Sequence, residues 1–290
     1  MLNTDTDAIP MTMKDLAGAP PLVDVQWLAE NLGREDIVVL DGTLFLPGEG
    51  KSGFMSYLDG HIPGARFFDI DVFSDPDTDL PHMVPSAGRF ASLAGALGIE
   101  NRQHLVIYDA KGLFSAARVW WLFRLFGHDR VSVLDGGLPK WRSAGHPVEQ
   151  RGGAHWSPTT FAVAFRAALL RGLGDMDENL RTGAQQVLDA RPAARFDGRV
   201  PEPRQGVRSG HVPASRSLPY TDLLREDKTM LAPDVLRATF QSVGVDASTP
   251  VVATCGSGVT AAVLCLAMEV AGLSRGALYD GAWAEWGTCR

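Results

Sequence analysis

The sequence is poor in cysteine, with three residues in 290, and it contains no Cys-x-x-Cys pair. A small and odd number of cysteines argues against a disulfide framework, and the missing pair argues against a zinc site. Unpaired thiols fit a reducing compartment, so we expect a cytoplasmic protein. We expect neither a metal ion nor another cofactor.

The chain also lacks an excess of positive charge and any long apolar run. Its formal net charge is −7, and no basic cluster alternates with aromatic residues, which argues against nucleic-acid binding. No apolar stretch reaches the roughly 20 residues of a membrane-spanning helix, so we expect no membrane partner. The segment Met1–Pro21 is polar and lacks the basic start and apolar centre of a signal peptide.

One stretch carries the clearest chemical signal. The residues Val251–Thr254 are typical of a strand, Cys255 follows, and a glycine-rich loop leads into an apolar helix that Gly272 ends. Such a loop turns its backbone N–H groups inward, and the helix N-terminus adds a partial positive charge. A thiolate is stabilised there, so Cys255 is predicted to be a nucleophile. A buried structural cysteine is the alternative, but a packed strand end does not need a loop of small residues.

Two other loop chemistries do not fit this stretch. A nucleotide-binding P-loop needs Gly-Lys-Ser/Thr, and the loop contains no lysine. A cysteine-dependent phosphatase needs an arginine at the end of the loop, where this chain has Thr260 and Ala261. The loop has no charged side chain, which suits a small substrate whose charge is bound elsewhere.

The sequence contains one unit written twice. Four short segments recur in the same order at offsets of 148, 150, 146 and 145 residues. The first copies and their counterparts are Val39–Asp41 and Val187–Asp189, His61–Gly64 and His211–Ala214, Val106–Asp109 and Val252–Cys255, and Leu134–Gly136 and Tyr279–Gly281. The alternation of strands and helices in each copy predicts an α/β fold, with a parallel sheet and helices on both faces.

The copies differ where chemistry is expected. The first copy has Asp109 where the second has Cys255, and aspartate is a poor sulfur nucleophile. One copy is therefore predicted to be active, while the other walls the site. Ligands of open α/β sheets bind at the carboxyl ends of the strands, and Cys255 is predicted to lie at such an end.

These features resemble the two-domain sulfurtransferases of the rhodanese superfamily, from about Val23 to Trp286. Further matching stretches are Arg118–Trp121, Asp135–Gly137, Pro201–Arg204 and Tyr279–Trp283. The resemblance implies two tandem rhodanese-like domains, each a mainly parallel sheet flanked by helices. The domain without the catalytic cysteine would span 1–150 and the catalytic domain 165–290, with a linker at about 145–168.

The loop composition favours one donor. Thiosulfate sulfurtransferases of this superfamily usually have Arg and Lys after the cysteine, whereas this chain has Gly256 and Ser257. The loop is more similar to that of 3-mercaptopyruvate sulfurtransferases. Thiosulfate is a dianion that favours cations in the loop, whereas 3-mercaptopyruvate is a monoanion whose charge lies away from its sulfur. A thiosulfate:cyanide sulfurtransferase and a non-enzymatic persulfide carrier or sensor are the alternatives.

The resemblance also implies roles for individual residues. The substrate arginines of the family fall on Arg195 and Arg204. Cys255 would carry a persulfide and pass its sulfur to a thiol, a thioredoxin-like protein or cyanide, with release of pyruvate. The loop residues expected to bind the substrate and the persulfide are Gly256, Gly258, Val259 and Thr260.

A proton must reach the carbon that loses sulfur. Ser257 resembles the proton-relay serine of the family, and His61 of the first copy resembles its partner. The alternative for His61 is a turn residue before Ile-Pro-Gly. Asp59 and Glu49 are both candidates for an acidic third member. Two cysteines are assigned no catalytic role, Cys265 as part of the core and Cys289 as an exposed bystander.

Overall fold

The computed structural model describes residues 19–152, 155–273 and 275–289. The polar N-terminal residues 1–18 and Gly153 of the expected linker lie outside the described residues. No helix in these ranges is long and apolar enough to cross a membrane.

The described strands form two sheets of five parallel strands each. The first sheet, in chain order, contains β1 (Leu22–Val23), β2 (Ile37–Asp41), β3 (Arg66–Phe67), β4 (His104–Tyr108) and β5 (Val131–Leu134). The second contains β6 (Leu170–Arg171), β7 (Gln186–Asp189), β8 (Arg216–Ser217), β9 (Val251–Thr254) and β10 (Ala277–Tyr279). The spatial orders are β1-β5-β4-β2-β3 and β6-β10-β9-β7-β8, so the two sheets have the same topology.

Helices cover both sheets. Those of the first half are α1 (Val25–Asn31), α2 (Gly53–Asp59), α3 (Ala87–Ala96), α4 (Ala116–Leu125) and α5 (Gly137–Ser143). Those of the second half are α6 (Leu173–Thr182), α7 (Ala193–Phe196), α8 (Pro233–Ser242), α9 (Ala261–Val270) and α10 (Ala282–Cys289). Asp24, Ser52 and Ser86 cap α1, α2 and α3 by accepting a backbone N–H bond in the first turn.

The two halves share one apolar core, which α4 and α9 form where they pack on each other. All ten residues of α4 are buried, and so are the first eight of α9. The apolar residues of each helix are covered by the sheet of its own half and by the helix of the other half, and the two arginines of α4 form ion pairs with residues of the second half. The carboxyl ends of both central strands, β4 and β9, therefore lie beside the contact between the halves.

The predicted fold class is confirmed, with two sheets of the same topology flanked by helices. Between Ser143 and Ala167 the described residues form no helix and no strand. This agrees with a linker at about 145–168, although the exact domain limits remain a prediction.

Candidate active site

A cavity of about 240 Å³ opens at the carboxyl end of β9 and is lined by residues of both halves. Its walls include Cys255 and Ser257 from the second half and Leu46, Lys111 and Phe114 from the first. A larger cavity of about 730 Å³ opens over the first half alone and does not contain Cys255. Because only the smaller of these two cavities contains the predicted nucleophile, we place the candidate site there.

Cys255 follows the last residue of β9, as the sequence predicts, and it is 2% exposed. Its carbonyl accepts the N–H of Trp283 at 2.9 Å, which fixes the start of the loop. The loop ends at Thr260, the N-cap of α9. Among the described residues, none accepts a backbone hydrogen bond from residues 256–260, so these donors remain available for an anion.

The matching loop of the first half shows where such donors point. The carboxylate of Asp109 is fully buried and accepts four backbone N–H bonds at 2.8–2.9 Å. The four donors are Lys111, Phe114, Ser115 and Ala116. Because the loops are copies, we infer that the free N–H groups after Cys255 converge on the sulfur that it carries.

Ser257 lies against a histidine of the first half, but that histidine is His82. The distance from Ser257 Oγ to His82 Nδ1 is 3.1 Å, and His82 Nε2 lies 3.4 Å from Asp71 Oδ1. His82 is 7% exposed, whereas the Asp71 side chain is largely exposed. The hydrogen bond from His82 lowers the pKa of Asp71, so this contact favours the ionised carboxylate.

The assignment of His61 as the partner of Ser257 is wrong. His61 is fully buried within the first half, its Nδ1 lies 2.7 Å from the carbonyl of Tyr57, and its ring stacks on Tyr57 at 4.0 Å. Its backbone pairs with Glu149. The segment faces the apolar cluster that contains Tyr57 and Ile62, on the side of the sheet away from α9.

The second copy explains why this histidine recurs. His211 stacks on Phe196 at 3.9 Å, and its Nδ1 lies 2.9 Å from the carbonyl of that residue. The histidine therefore has the same packing role in both halves, since it covers an aromatic ring and binds a carbonyl of the preceding helix. A feature that both copies need for their fold does not indicate the chemistry of one of them.

The two carboxylates proposed as the third member make other contacts, although Glu49 also lines the Cys255 cavity. Glu49 forms an ion pair with the ammonium of Lys111 at 2.7 Å. Asp59 ends α2, close in sequence to His61, and lines the larger cavity. Neither contacts His82, whereas Asp71 does.

Both predicted substrate arginines, Arg195 and Arg204, line the same cavity as Cys255. Arg195 is held by Glu202, whose side chain is 3% exposed and which also binds Arg191 Nη1 at 2.8 Å. Arg191 is itself buried and binds Asp189 at 2.6 Å. Arg191 and Arg195 are thus balanced by Asp189 and Glu202, and Arg204, which lines the same cavity, adds one positive charge.

Arg204 differs from Arg191 and Arg195 because its whole guanidinium is unpaired among the described residues. Its guanidinium forms no hydrogen bond or ion pair with a described residue, and burial lowers the pKa of Arg204. The charge of the Cys255 thiolate acts in the opposite direction and raises the pKa of Arg204. A half-buried cation without a partner, close to the nucleophile, is suited to bind a small carboxylate.

Gly256 gives Arg195 its room. A Cβ atom at this position would lie 2.9 Å from Arg195 Nη2, closer than real contacts allow. A side chain at position 256 would therefore displace the Arg195 guanidinium from its present place.

Sequence reasoning missed His82, Asp71, Arg191 and Glu202. The signal for His82 was available, because it lies between two prolines in the first copy, at Pro81 and Pro85, and the second copy has no histidine there. Residues present in one copy alone are better indicators of chemistry than residues shared by both. The remaining cysteines lie as expected, with Cys265 buried and Cys289 exposed.

Comparisons with known proteins agree with this geometry. The rhodanese-like domain family matches the chain twice, at residues 24–144 and 173–289. The human protein named 3-mercaptopyruvate sulfurtransferase is 42% identical over 271 residues, which cover 91% of each chain. The Arabidopsis thaliana protein named thiosulfate/3-mercaptopyruvate sulfurtransferase 2 is 43% identical over 288 residues, which cover 92% of this chain and 84% of that protein.

A solved structure has the same fold over most of the chain. The crystal structure of SseA from Escherichia coli, described with the "Rhodanese" fold and mechanism of 3-mercaptopyruvate sulfotransferases, superposes with a TM-score of 0.83. It is 39% identical, and the match covers 91% of this chain and 99% of SseA.

Proposed function

The chain belongs to the rhodanese-like sulfurtransferases, and from this premise we propose that it transfers the sulfur of 3-mercaptopyruvate through a persulfide on Cys255. One observation carries the proposal. Cys255, Ser257 and the unpaired Arg204 line one cavity, whose loop contributes no charged side chain, and Ser257 contacts His82, which contacts Asp71 behind it. Each of them has a place in the removal of sulfur from a keto acid.

In the first step, the Cys255 thiolate attacks the sulfur of the donor. An S–S bond forms, the C–S bond breaks, and the electron pair of that bond leaves with the enolate of pyruvate. The unpaired N–H groups of residues 256–260 stabilise the persulfide sulfur, as those of the first half stabilise the Asp109 carboxylate.

The enolate carbon must then receive a proton. The Ser257 hydroxyl donates it and is reprotonated by His82, whose ring lies 3.1 Å away. Asp71 lies 3.4 Å from the other ring nitrogen of His82 and orients the ring. A serine alone is too weak an acid for this step, so the contact with His82 is what makes the transfer possible.

The carboxylate of the donor binds Arg204, with Arg195 as the second cation. In the second half-reaction, a thiol or cyanide attacks the outer sulfur of the persulfide and releases the Cys255 thiolate. The acceptor in the cell would be a small thiol or a thioredoxin-like protein. We place this activity in a reducing compartment such as the cytoplasm, since the three cysteines are unpaired.

Thiosulfate is the alternative donor. The Arabidopsis relative is named for both donors, so we expect the two donors to differ in rate rather than one to be excluded. Transfer of sulfur from thiosulfate releases sulfite, so no carbon has to be protonated. The loop offers thiosulfate no cationic side chain.

The test compares initial rates with both donors at saturating cyanide. We expect faster turnover of 3-mercaptopyruvate, and we expect Cys255→Ser to abolish sulfur transfer while Cys265→Ala and Cys289→Ala retain most of it. Full activity in the Cys255→Ser variant would contradict the proposal. A persulfide on Cys255 without turnover would instead indicate a sulfur carrier, and faster use of thiosulfate would correct the donor alone.

A further inference from the structure

We propose that Arg118 is a positioning residue of the reaction, because it holds the His82 segment and the catalytic loop in one alignment. This inference rests on the proposed relay between Ser257 and His82. Arg118 lies in α4 of the first half and is fully buried. It does not line the cavity, so it acts through other residues.

The guanidinium of Arg118 joins three parts of the site. Its Nη2 donates to the carbonyl of His82 at 2.6 Å and to Asp280 Oδ1 at 2.8 Å. Its Nη1 approaches the carbonyl of Gly258 at 3.4 Å. One side chain therefore contacts the backbone of the relay histidine and the backbone next to Ser257.

Asp280 completes the clamp from the second half. Its Oδ2 accepts the N–H of Val84 at 2.7 Å, two residues after His82, while Oδ1 binds Arg118. The His82 segment is thus fixed at the carbonyl of His82 and at the N–H of Val84. The ion pair is 1% and 5% exposed, so water does not weaken it, and the planar fork sets the angle as well as the distance.

The internal repeat separates docking of the two halves from positioning of the relay. In the opposite direction, Asp135 of the first half accepts the N–H of Met230 at 2.8 Å, which mirrors the bond between Asp280 and Val84. The place of Arg118 in α9 is taken by the apolar Val263. Docking therefore uses the aspartate contact on both sides, whereas the arginine is added only where a relay crosses between the halves.

A local displacement follows if the fork is lost. The 3.1 Å contact between His82 and Ser257 joins residues 175 positions apart, and the covalent chain does not constrain it. A misplacement of about 1 Å can reduce a rate by roughly 100-fold. Loss of the fork should therefore slow the proton step, while donor binding at Arg204 stays intact.

The experiment replaces Arg118 by lysine, which keeps the charge and removes the fork. We expect kcat for 3-mercaptopyruvate to fall by about 10- to 100-fold. KM should change little, and thiosulfate turnover should be nearly retained, since that reaction needs no carbon protonation. The quantity measured is the ratio of kcat for the two donors. Asp280→Asn is the second variant, because it preserves size and breaks one of the two bonds, and it gives the result if Arg118→Lys does not fold.

Arg124→Lys is the matched control. Arg124 lies in the same helix, is equally buried, and binds Glu269 of the second half at 3.0 Å, away from the relay. We expect this variant to keep the ratio of the wild type. Equal ratios in folded Arg118→Lys and wild-type protein would overturn the inference, and so would equal losses in Arg118→Lys and Arg124→Lys.

Ser257→Ala, measured in parallel, separates this inference from the proposed function. If Ser257→Ala leaves the donor ratio unchanged, the relay is wrong, and the inference about Arg118 falls with it. If Ser257→Ala lowers the ratio while Arg118→Lys does not, the relay stands and Arg118 has a structural role alone.

Discussion

Asp109 and Cys255 occupy equivalent positions in the two halves, each one residue beyond the central strand of its sheet. The carbonyl of Asp109 accepts the N–H of Leu138 at 3.0 Å, and that of Cys255 accepts the N–H of Trp283 at 2.9 Å. The loop after Asp109 is satisfied by the carboxylate of that residue, whereas the loop after Cys255 keeps its donors free. The loop of the first half thus binds the carboxylate of its own Asp109, whereas the loop of the second half has free donors for an anion on Cys255.

The first prediction concerns this buried carboxylate. Asp109→Ala leaves four backbone N–H groups without their acceptor, so we expect the free energy of unfolding to fall by about 3 kcal/mol or more. Asp109→Asn retains one acceptor oxygen and should cost less. Urea denaturation measures both. Asp246, an exposed aspartate that also accepts backbone N–H bonds, is the control, and Asp246→Ala should cost clearly less than Asp109→Ala.

The second prediction separates the two histidines. We expect His82→Asn to lower kcat for 3-mercaptopyruvate by about 10²- to 10⁴-fold, because acid–base assistance is lost. His61→Asn should leave kcat nearly unchanged and lower thermal stability, since its buried ring stacks on Tyr57. Steady-state kinetics and thermal melts check both variants. A large loss of kcat in His61→Asn with normal turnover in His82→Asn would restore the original assignment.

The fold could be predicted because both copies show the same alternation of strands and helices. Within each copy, burial of the apolar faces of these elements determines the sheet and its covering helices. The contact between His82 and Ser257 could not be predicted in this way, because it crosses between the halves. Its geometry depends on how α4 packs on α9, which no sequence period reveals.

At His61 the family resemblance led to the wrong histidine. The segment His61–Gly64 recurs as His211–Ala214 because each histidine packs on an aromatic ring, Tyr57 or Phe196. The useful comparison lies at His82, whose counterpart in the second half is Lys228. Both have positive φ, at 60° and 68°, so the backbone is shared while the side chain differs.

The third prediction concerns the unpaired arginine. Arg204→Ala should lower kcat/KM for 3-mercaptopyruvate by about 10- to 150-fold, because a charged hydrogen bond of roughly 1.5–3 kcal/mol is lost. Arg199 provides the control, since its guanidinium is exposed and pairs with Asp197. Arg199→Ala should leave the kinetics unchanged. Equal kinetics in both variants would show that the carboxylate binds elsewhere.

The fourth prediction uses the close contact at Gly256. Gly256→Ala places a Cβ 2.9 Å from Arg195 Nη2, so the guanidinium must move. Because the end of a flexible side chain can shift, we expect a modest rise in KM for 3-mercaptopyruvate with an intact fold. Gly256→Arg adds a cation to the loop and should shift the donor preference towards thiosulfate. A donor ratio unchanged in Gly256→Arg would contradict the link between loop charge and donor.

The fifth prediction concerns acid stability and starts from two buried histidines of the first half. Burial lowers the pKa of His104 and of His128 to about 4, so both stay neutral in the folded protein near pH 5. Burial also raises the pKa of Asp41 to about 6, which acts in the opposite direction. Single replacements are therefore more informative than the pH dependence of the whole protein.

His128 packs against the rings of Phe123 and Phe161, and its Nε2 lies 3.0 Å from the carbonyl of Arg130, so His128→Phe keeps the aromatic packing and loses this hydrogen bond. Below its unfolded pKa of about 6.5, the unfolded chain binds a proton at His128 that the folded protein does not, so stability falls as the pH falls. The loss is roughly 1.4 kcal/mol per pH unit between about pH 6 and pH 4. The variant lacks this term, so urea denaturation at pH 7 and pH 5 should show a smaller loss of stability than in the wild type. Equal losses in both proteins would mean that the imidazole is charged in the folded state.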